Sequence, residues 1–231
     1  MSKPTTRLSH SVPTLLGIAA ALAMAAALIM ALLVAPREAI MGDIQRIFYP
    51  HVAASWAGYL ALLVTFVASV LCLRSGDSRQ DLLAASSAEI GLLLITAGIV
   101  TGMFWARPIW GTWWTWDPRL TTSAVLWLLY AAYFALRNAI DEPSRRARLA
   151  GVYSIIAFVA VPLNFMAIRW WRGMHPRVIA QPGGGLTPMM LATLLVNVAA
   201  FTLLYVTLLV MRFRVAQLEE HVQRLRARDE R

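Results

Sequence analysis

The chain alternates between long apolar runs and short polar, charged breaks, and that alternation predicts its elements. Six runs are long enough to cross a bilayer, which takes about 20 apolar residues each. They lie near residues 14–35, 52–73, 84–105, 120–136, 149–168 and 187–211. Nothing repeats at a fixed period, and no Gly/Ser-rich or Pro-rich linker divides the chain. The expectation is an all-α polytopic membrane protein: a single bundle of six transmembrane helices over residues 1–231, both termini cytoplasmic.

Composition agrees with the pattern. The 231 residues are 59% hydrophobic and only 14% charged, with mean hydropathy +0.61, too apolar for a soluble domain. Lys3 and Arg7 precede an Ala-rich run as they would in a secretory leader. The run "TLLGIAAALAMAAALIMALLVA" is longer than a leader's apolar core and reads as a first span that stays attached.

Orientation follows from the positive residues, which are retained on the cytoplasmic side. With the N-terminus inside, most of the 21 lysines and arginines fall in cytoplasmic segments: Lys3 and Arg7, Arg74 and Arg79, Arg137 to Arg148, and the tail from Arg212 to Arg231. Loops one, three and five then face outward. The formal charge of +9 is explained by topology and lipid headgroups, with no nucleic acid needed. The tail, residues 212–231, reads as a basic amphipathic surface helix.

Cysteine usage removes several chemistries. Cys72 is alone, so there is no internal disulfide, no thiolate metal cluster and no C-x-x-C-H haem attachment site. The chain also lacks a Walker motif and cannot hydrolyse ATP by itself.

The outer loops carry the unusual residues. In the first, Ile40, Ile44, Ile47 and Phe48 recur at helical spacing, and Pro50 suits the first turn of the next helix. His51 follows at the mouth of the second span. In "WARPIWGTWWTWDPRLT", residues 105–121, five of the nine tryptophans fall within twelve positions. An interfacial belt accounts for Trp105, Trp127, Trp170 and Trp171. It accounts poorly for Trp110, Trp113, Trp114 and Trp116 together, which offer a rigid apolar wall suited to a broad flat ligand.

Asp117 precedes Pro118 at the start of the fourth span, the ordinary N-cap and N1 pairing. A second role, orienting the loop or a ligand, stays open beside it. Of the four histidines, His10 and His221 lie in the tails, whereas His51 and His175 lie on the outer side. Two readings stand for that pair: interfacial residues, or ligands that clamp an iron from opposite faces. Arg107, Arg119, Arg172 and Arg177 are placed to meet carboxylates, or equally lipid phosphates.

These residues carry a resemblance. "WGTWWTWDPRLT", "RIFYPHVAASW" and "VPLNFMAIRWWRGMHP" resemble, along nearly the whole chain, the haem exporter protein C family (CcmC) of WWD-motif haem-handling proteins. The resemblance implies haem b held at the periplasmic face of a bacterial inner membrane, with His51 and His175 as axial ligands. It implies a platform of Trp110, Gly111, Thr112, Trp113, Trp114, Trp116, Asp117 and Arg119. It also implies transfer of haem to a membrane-tethered chaperone (CcmE), with an ABC transporter pair (CcmA and CcmB) and a single-span protein (CcmD) completing the complex. Catalysis by the chain itself is not expected, because position is what it supplies. Two competing readings are a haem lyase acting directly on apocytochrome, and a transporter of haem across the bilayer. The spans offer the latter only Glu89, Asn164 and Asn197 as polar landmarks.

Overall fold

The computed structural model describes residues 11–171, 173, 175 and 185–229. Lys3, Arg7, His10, Arg172 and Arg177 lie outside them. The helices are α1 (Ser11–Ile29), α2 (Phe48–Ser75), α3 (Ser78–Trp110), α4 (Pro118–Asn138), α5 (Pro143–Ala157), α6 (Ala160–Trp170) and α7 (Pro188–Asp229). Among the described residues there is no strand beyond one isolated bridge, Glu38 to Gly42. Six helical stretches are long and apolar enough to cross a membrane, with α5 and α6 together forming the fifth. The protein is a polytopic all-α membrane protein.

The fifth stretch is broken for a chemical reason. Pro162 has no N–H to offer the Phe158 carbonyl, and its ring crowds that carbonyl, so the helical ladder is interrupted one turn earlier. The Phe158 carbonyl is bonded instead by Val161 N at 2.9 Å.

The centre of the bundle is the α2–α3 hairpin, with α7 packed on one side and α5 on the other. Small residues bring α2 and α3 into close contact: a Cβ on Gly91 would sit 2.9 Å from Leu62 Cδ2, and one on Gly58 would sit 2.7 Å from Ile95 Cδ1. Buried hydroxyls add bonds between helices. Ser87 Oγ donates to the Ala61 carbonyl at 2.7 Å and lies 2.9 Å from the Tyr205 hydroxyl. Ser154 donates to Ser69 Oγ at 2.7 Å. On the other side of α7 lies α1, where Asn197 Nδ2 donates to the Ala27 carbonyl at 3.2 Å.

At one end, α3 and α4 are pinned by a two-pronged ion pair, Arg137 to Asp81 at 2.6 and 2.9 Å, both side chains about 10% exposed. The basic tail is helical over its described residues. It continues α7 without a break through Asp229.

Candidate functional site

Three elements converge at the other end of the bundle: the start of α2, the end of α3, and the segment after α6. His51 sits in the first turns of α2 behind a short 3-10 turn, Asp43–Ile47. Its Nδ1 lies 2.9 Å from the Gly98 carbonyl and 3.2 Å from Thr101 Oγ1, both on α3. A carbonyl can only accept, so Nδ1 carries the proton and Nε2 keeps its lone pair. The ring fits because α3 has no side chain beneath it: a Cβ on Gly102 would lie 3.0 Å from His51 Cε1.

His175 comes from the segment beyond α6 and stands over His51, ring centroids 6.4 Å apart. Burial, then the charge of Arg119, then His51, hold its pKa down at about 3. The folded imidazole is therefore neutral across the physiological range, as metal ligation requires. Its Nδ1 is buried with no hydrogen-bond partner among the described residues.

Trp105 joins the two imidazoles. It is 3% exposed, and its ring centroid lies 6.2 Å from that of His51, 6.1 Å from His175 and 6.4 Å from Trp110. Trp110 in turn lies 6.3 Å from His175. The interfacial belt expected for Trp105 is thus replaced by an interior position. The signal was present in "GIVTGMFW": Gly98, Gly102 and Trp105 share one helical face, the face that receives His51. Trp127 also departs from the belt, its Nε1 donating to Thr96 Oγ1 on α3 at 2.8 Å.

The cleft beneath the rings is lined by His51, Trp105, Trp110, Arg119, Asn164 and His175, and it continues inward past Ser55, Tyr59 and Ser123. Arg119 is held by Asn164 of α6, donating to its main-chain carbonyl and, at 3.2 Å, to Oδ1. The same Oδ1 accepts the Tyr59 hydroxyl. Asn164 Nδ2 donates to Thr122 Oγ1 and Ser123 Oγ at 2.8 and 2.9 Å. This amide, 1% exposed, ties α2, α4 and α6 together below the rings.

The remaining tryptophans form a rim. Helix α3 runs through Pro108 to Trp110, so the connection free of helix is only residues 111–117. Gly111 ends α3 with φ +73° and bonds the Arg107 carbonyl at 3.0 Å, a left-handed stop suited to glycine. The Arg107 guanidinium donates to the Gly111 carbonyl. Thr112 Oγ1 donates to the Trp114 carbonyl at 3.0 Å, which tightens the turn. Trp114 and Trp116 meet edge to face at 5.6 Å, and Trp113 meets Phe104 at 5.7 Å. Trp116 is 77% exposed and Trp113 47%. Neither they nor Trp114 lines the cleft.

Asp117 caps α4, Oδ1 accepting from Leu120 N at 2.9 Å, with Pro118 in the first position. Its other oxygen accepts from Thr115 Oγ1 at 3.3 Å, and a Cβ on Gly173 would lie 3.7 Å from the carboxyl carbon. Asp117→Ala is expected to cost about 1 kcal/mol by loss of the cap and to speed proteolysis between Gly111 and Pro118. Asn caps as well as Asp, so Asp117→Asn leaves the cleavage rate near wild type.

A family model described as "Heme exporter protein C" matches residues 1–228. The chain belongs to the heme exporter protein C family. Among relatives bearing that name, the protein of Bradyrhizobium diazoefficiens is 35% identical over 83% of this chain and 73% of its own. That of Rhodobacter capsulatus is 34% identical over 85% and 81%, and that of Escherichia coli K12 is 35% identical over 78% and 73%. The match to the heme exporter protein C family takes in every residue of the cleft.

Proposed function

We propose that the protein holds haem at the outer end of its bundle between His51 and His175, and passes it on within the cytochrome c maturation system. The observation that carries this reading is the facing pair of imidazoles brought together from two distant segments, 6.4 Å between ring centroids. Imidazole nitrogens bind first-row metals at about 2 Å, so two rings clamping one iron stand about 6 Å apart. One ring is anchored through Nδ1 to a backbone carbonyl, the usual way a ligating histidine is oriented. The indoles of Trp105 and Trp110 supply apolar walls, and Arg119 supplies a guanidinium suited to a propionate.

The cargo is haem b, taken up at the periplasmic face of a bacterial inner membrane. Gly111, Thr112 and Asp117 shape the loop that presents Trp113, Trp114 and Trp116 to incoming partners. The recipient is the membrane-tethered chaperone CcmE, and CcmA, CcmB and CcmD complete the assembly. Haem itself supplies the reactive vinyl carbons. The chain's own residues bind and orient it, and cap both faces of the iron.

The test is optical spectroscopy of the purified protein. Wild type is expected to co-purify with six-coordinate haem, and His51→Ala and His175→Ala each to lose that signature. Spectra identical to wild type in both variants would sink the ligand assignment.

A further inference from the structure

The end of the bundle opposite the histidines contains a second cleft that the haem site does not use. It has a volume of about 620 Å³ and lies between α3, α4, α5 and α7. Glu89 on its wall is separated from Trp105 by about 24 Å along α3, so the two sites are separate.

The charges in this cleft are unevenly distributed. Arg137 is already matched by Asp81. Arg212 lies between two carboxylates, Glu89 at 2.8 Å and Glu219 at 3.6 Å, which leaves a surplus of negative charge there. Arg146, in the first turns of α5, has no ion-pair partner among the described residues, and its Nε is buried without a hydrogen bond. The cleft therefore presents an unmatched guanidinium on one helix and an unmatched carboxylate on two others. Glu89 and Glu219 are 53% and 58% exposed, accessible to a ligand.

The apolar wall points to the ligand's other half. Leu82, Ala85 and Leu92 share one face of α3 with Ser86 and Glu89, and Phe134 of α4 faces the same space. Leu92 continues that face from Glu89 toward the middle of the span, the direction in which an acyl chain leaves a headgroup.

We propose that this cleft binds the phosphoethanolamine headgroup of a phospholipid, its phosphate on Arg146 and its ammonium on the carboxylate oxygens of Glu89 and Glu219 that face away from Arg212. A primary ammonium donates three hydrogen bonds to carboxylates, whereas a trimethylammonium donates none. An anionic headgroup would meet Arg146 but leave the surplus carboxylate unpaired. The site thus selects phosphatidylethanolamine over both phosphatidylcholine and phosphatidylglycerol.

The experiment is native mass spectrometry of the full chain released from nanodiscs of equal phosphatidylethanolamine, phosphatidylglycerol and phosphatidylcholine. Wild type retains phosphatidylethanolamine preferentially. Arg146→Gln weakens that retention about tenfold, the effect of losing one charge-assisted hydrogen bond. Glu89→Gln combined with Glu219→Gln shifts retention toward phosphatidylglycerol. A wild-type measurement guards against variants that fail to fold: the melting temperature is higher in phosphatidylethanolamine discs than in phosphatidylcholine discs. Free O-phosphoethanolamine added to the phosphatidylcholine discs leaves the melting temperature unchanged. Equal retention of the three lipids by wild type, unaltered retention by Arg146→Gln, or equal melting in both discs overturns the proposal. Stabilisation by free phosphoethanolamine equal to that by the lipid overturns it too, in favour of a soluble ester.

Discussion

Arg137→Met is expected to destabilise the protein by about 3 to 5 kcal/mol, because it strands the largely buried Asp81 carboxylate without its partner. The pair is two-pronged and both side chains are about 10% exposed, so little solvent is available to replace the lost guanidinium. The guanidinium also sits 5.6 Å over the Tyr133 ring, an attraction that methionine lacks. The cost comes mainly from the orphaned charge rather than from the worth of the pair. Removing both charges together, Asp81→Leu with Arg137→Met, is therefore expected to recover most of the loss. Thermal unfolding of the four proteins in one detergent provides the double-mutant cycle. A double variant as unstable as Arg137→Met would show that the pair holds α3 to α4 in a way that packing cannot replace.

Asn164→Leu is the second large effect, expected at about 2 kcal/mol or more. A typical hydrogen bond between membrane helices is worth about 0.6 kcal/mol, and Ser154→Ala, which removes the bond to Ser69, serves as that reference. Asn164 differs because one side chain satisfies several partners. Leucine leaves the Tyr59 hydroxyl and one Arg119 N–H without their acceptor, and each buried unpaired group costs about 1 to 3 kcal/mol. Thr122 and Ser123 suffer less, since their hydroxyls already donate to the Pro118 and Arg119 carbonyls of their own helix. Arg119 would also lose its fixed position beneath His175. With haem held between His51 and His175 as proposed, Asn164→Leu should lower haem retention along with the melting temperature, whereas Ser154→Ala changes haem retention little. Equal melting shifts in the two variants would deny Asn164 its role as a hub.

Some of the site was legible because local chemistry wrote it. The Asp117–Pro118 cap depends on residues adjacent in sequence, and it forms in the structure as an N-cap and N1 pair. Gly111 stops α3 by its own conformational freedom. Proximity to a span end suggests the membrane interface for Trp105, but it says nothing about which side of the helix a ring takes. Its spacing from Gly98 and Gly102 held the missing information, but only the partner ring of His51 makes that face meaningful. Pro108 invites the reading that the helix has ended, yet α3 continues to Trp110. A proline in a terminal turn costs one hydrogen bond, and the packing of Trp105 and Trp110 around His175 offsets it.

By itself the sequence determined the spans and their number, because each span must satisfy its backbone internally and bury about 20 apolar residues in lipid. It also supplied the chemistry at one end of the bundle: two imidazoles, the indoles and a guanidinium. The tertiary structure decided which of these meet. His51 and His175 are brought to 6.4 Å by the close approach of α2 and α3 and by the fold of α6 over α4, with Arg119 carried beside them by Asn164. Trp113 and Trp116 turn outward while Trp105 turns in. Those choices depend on helix rotation and on contacts between residues more than a hundred positions apart, which periodicity along a single helix does not encode.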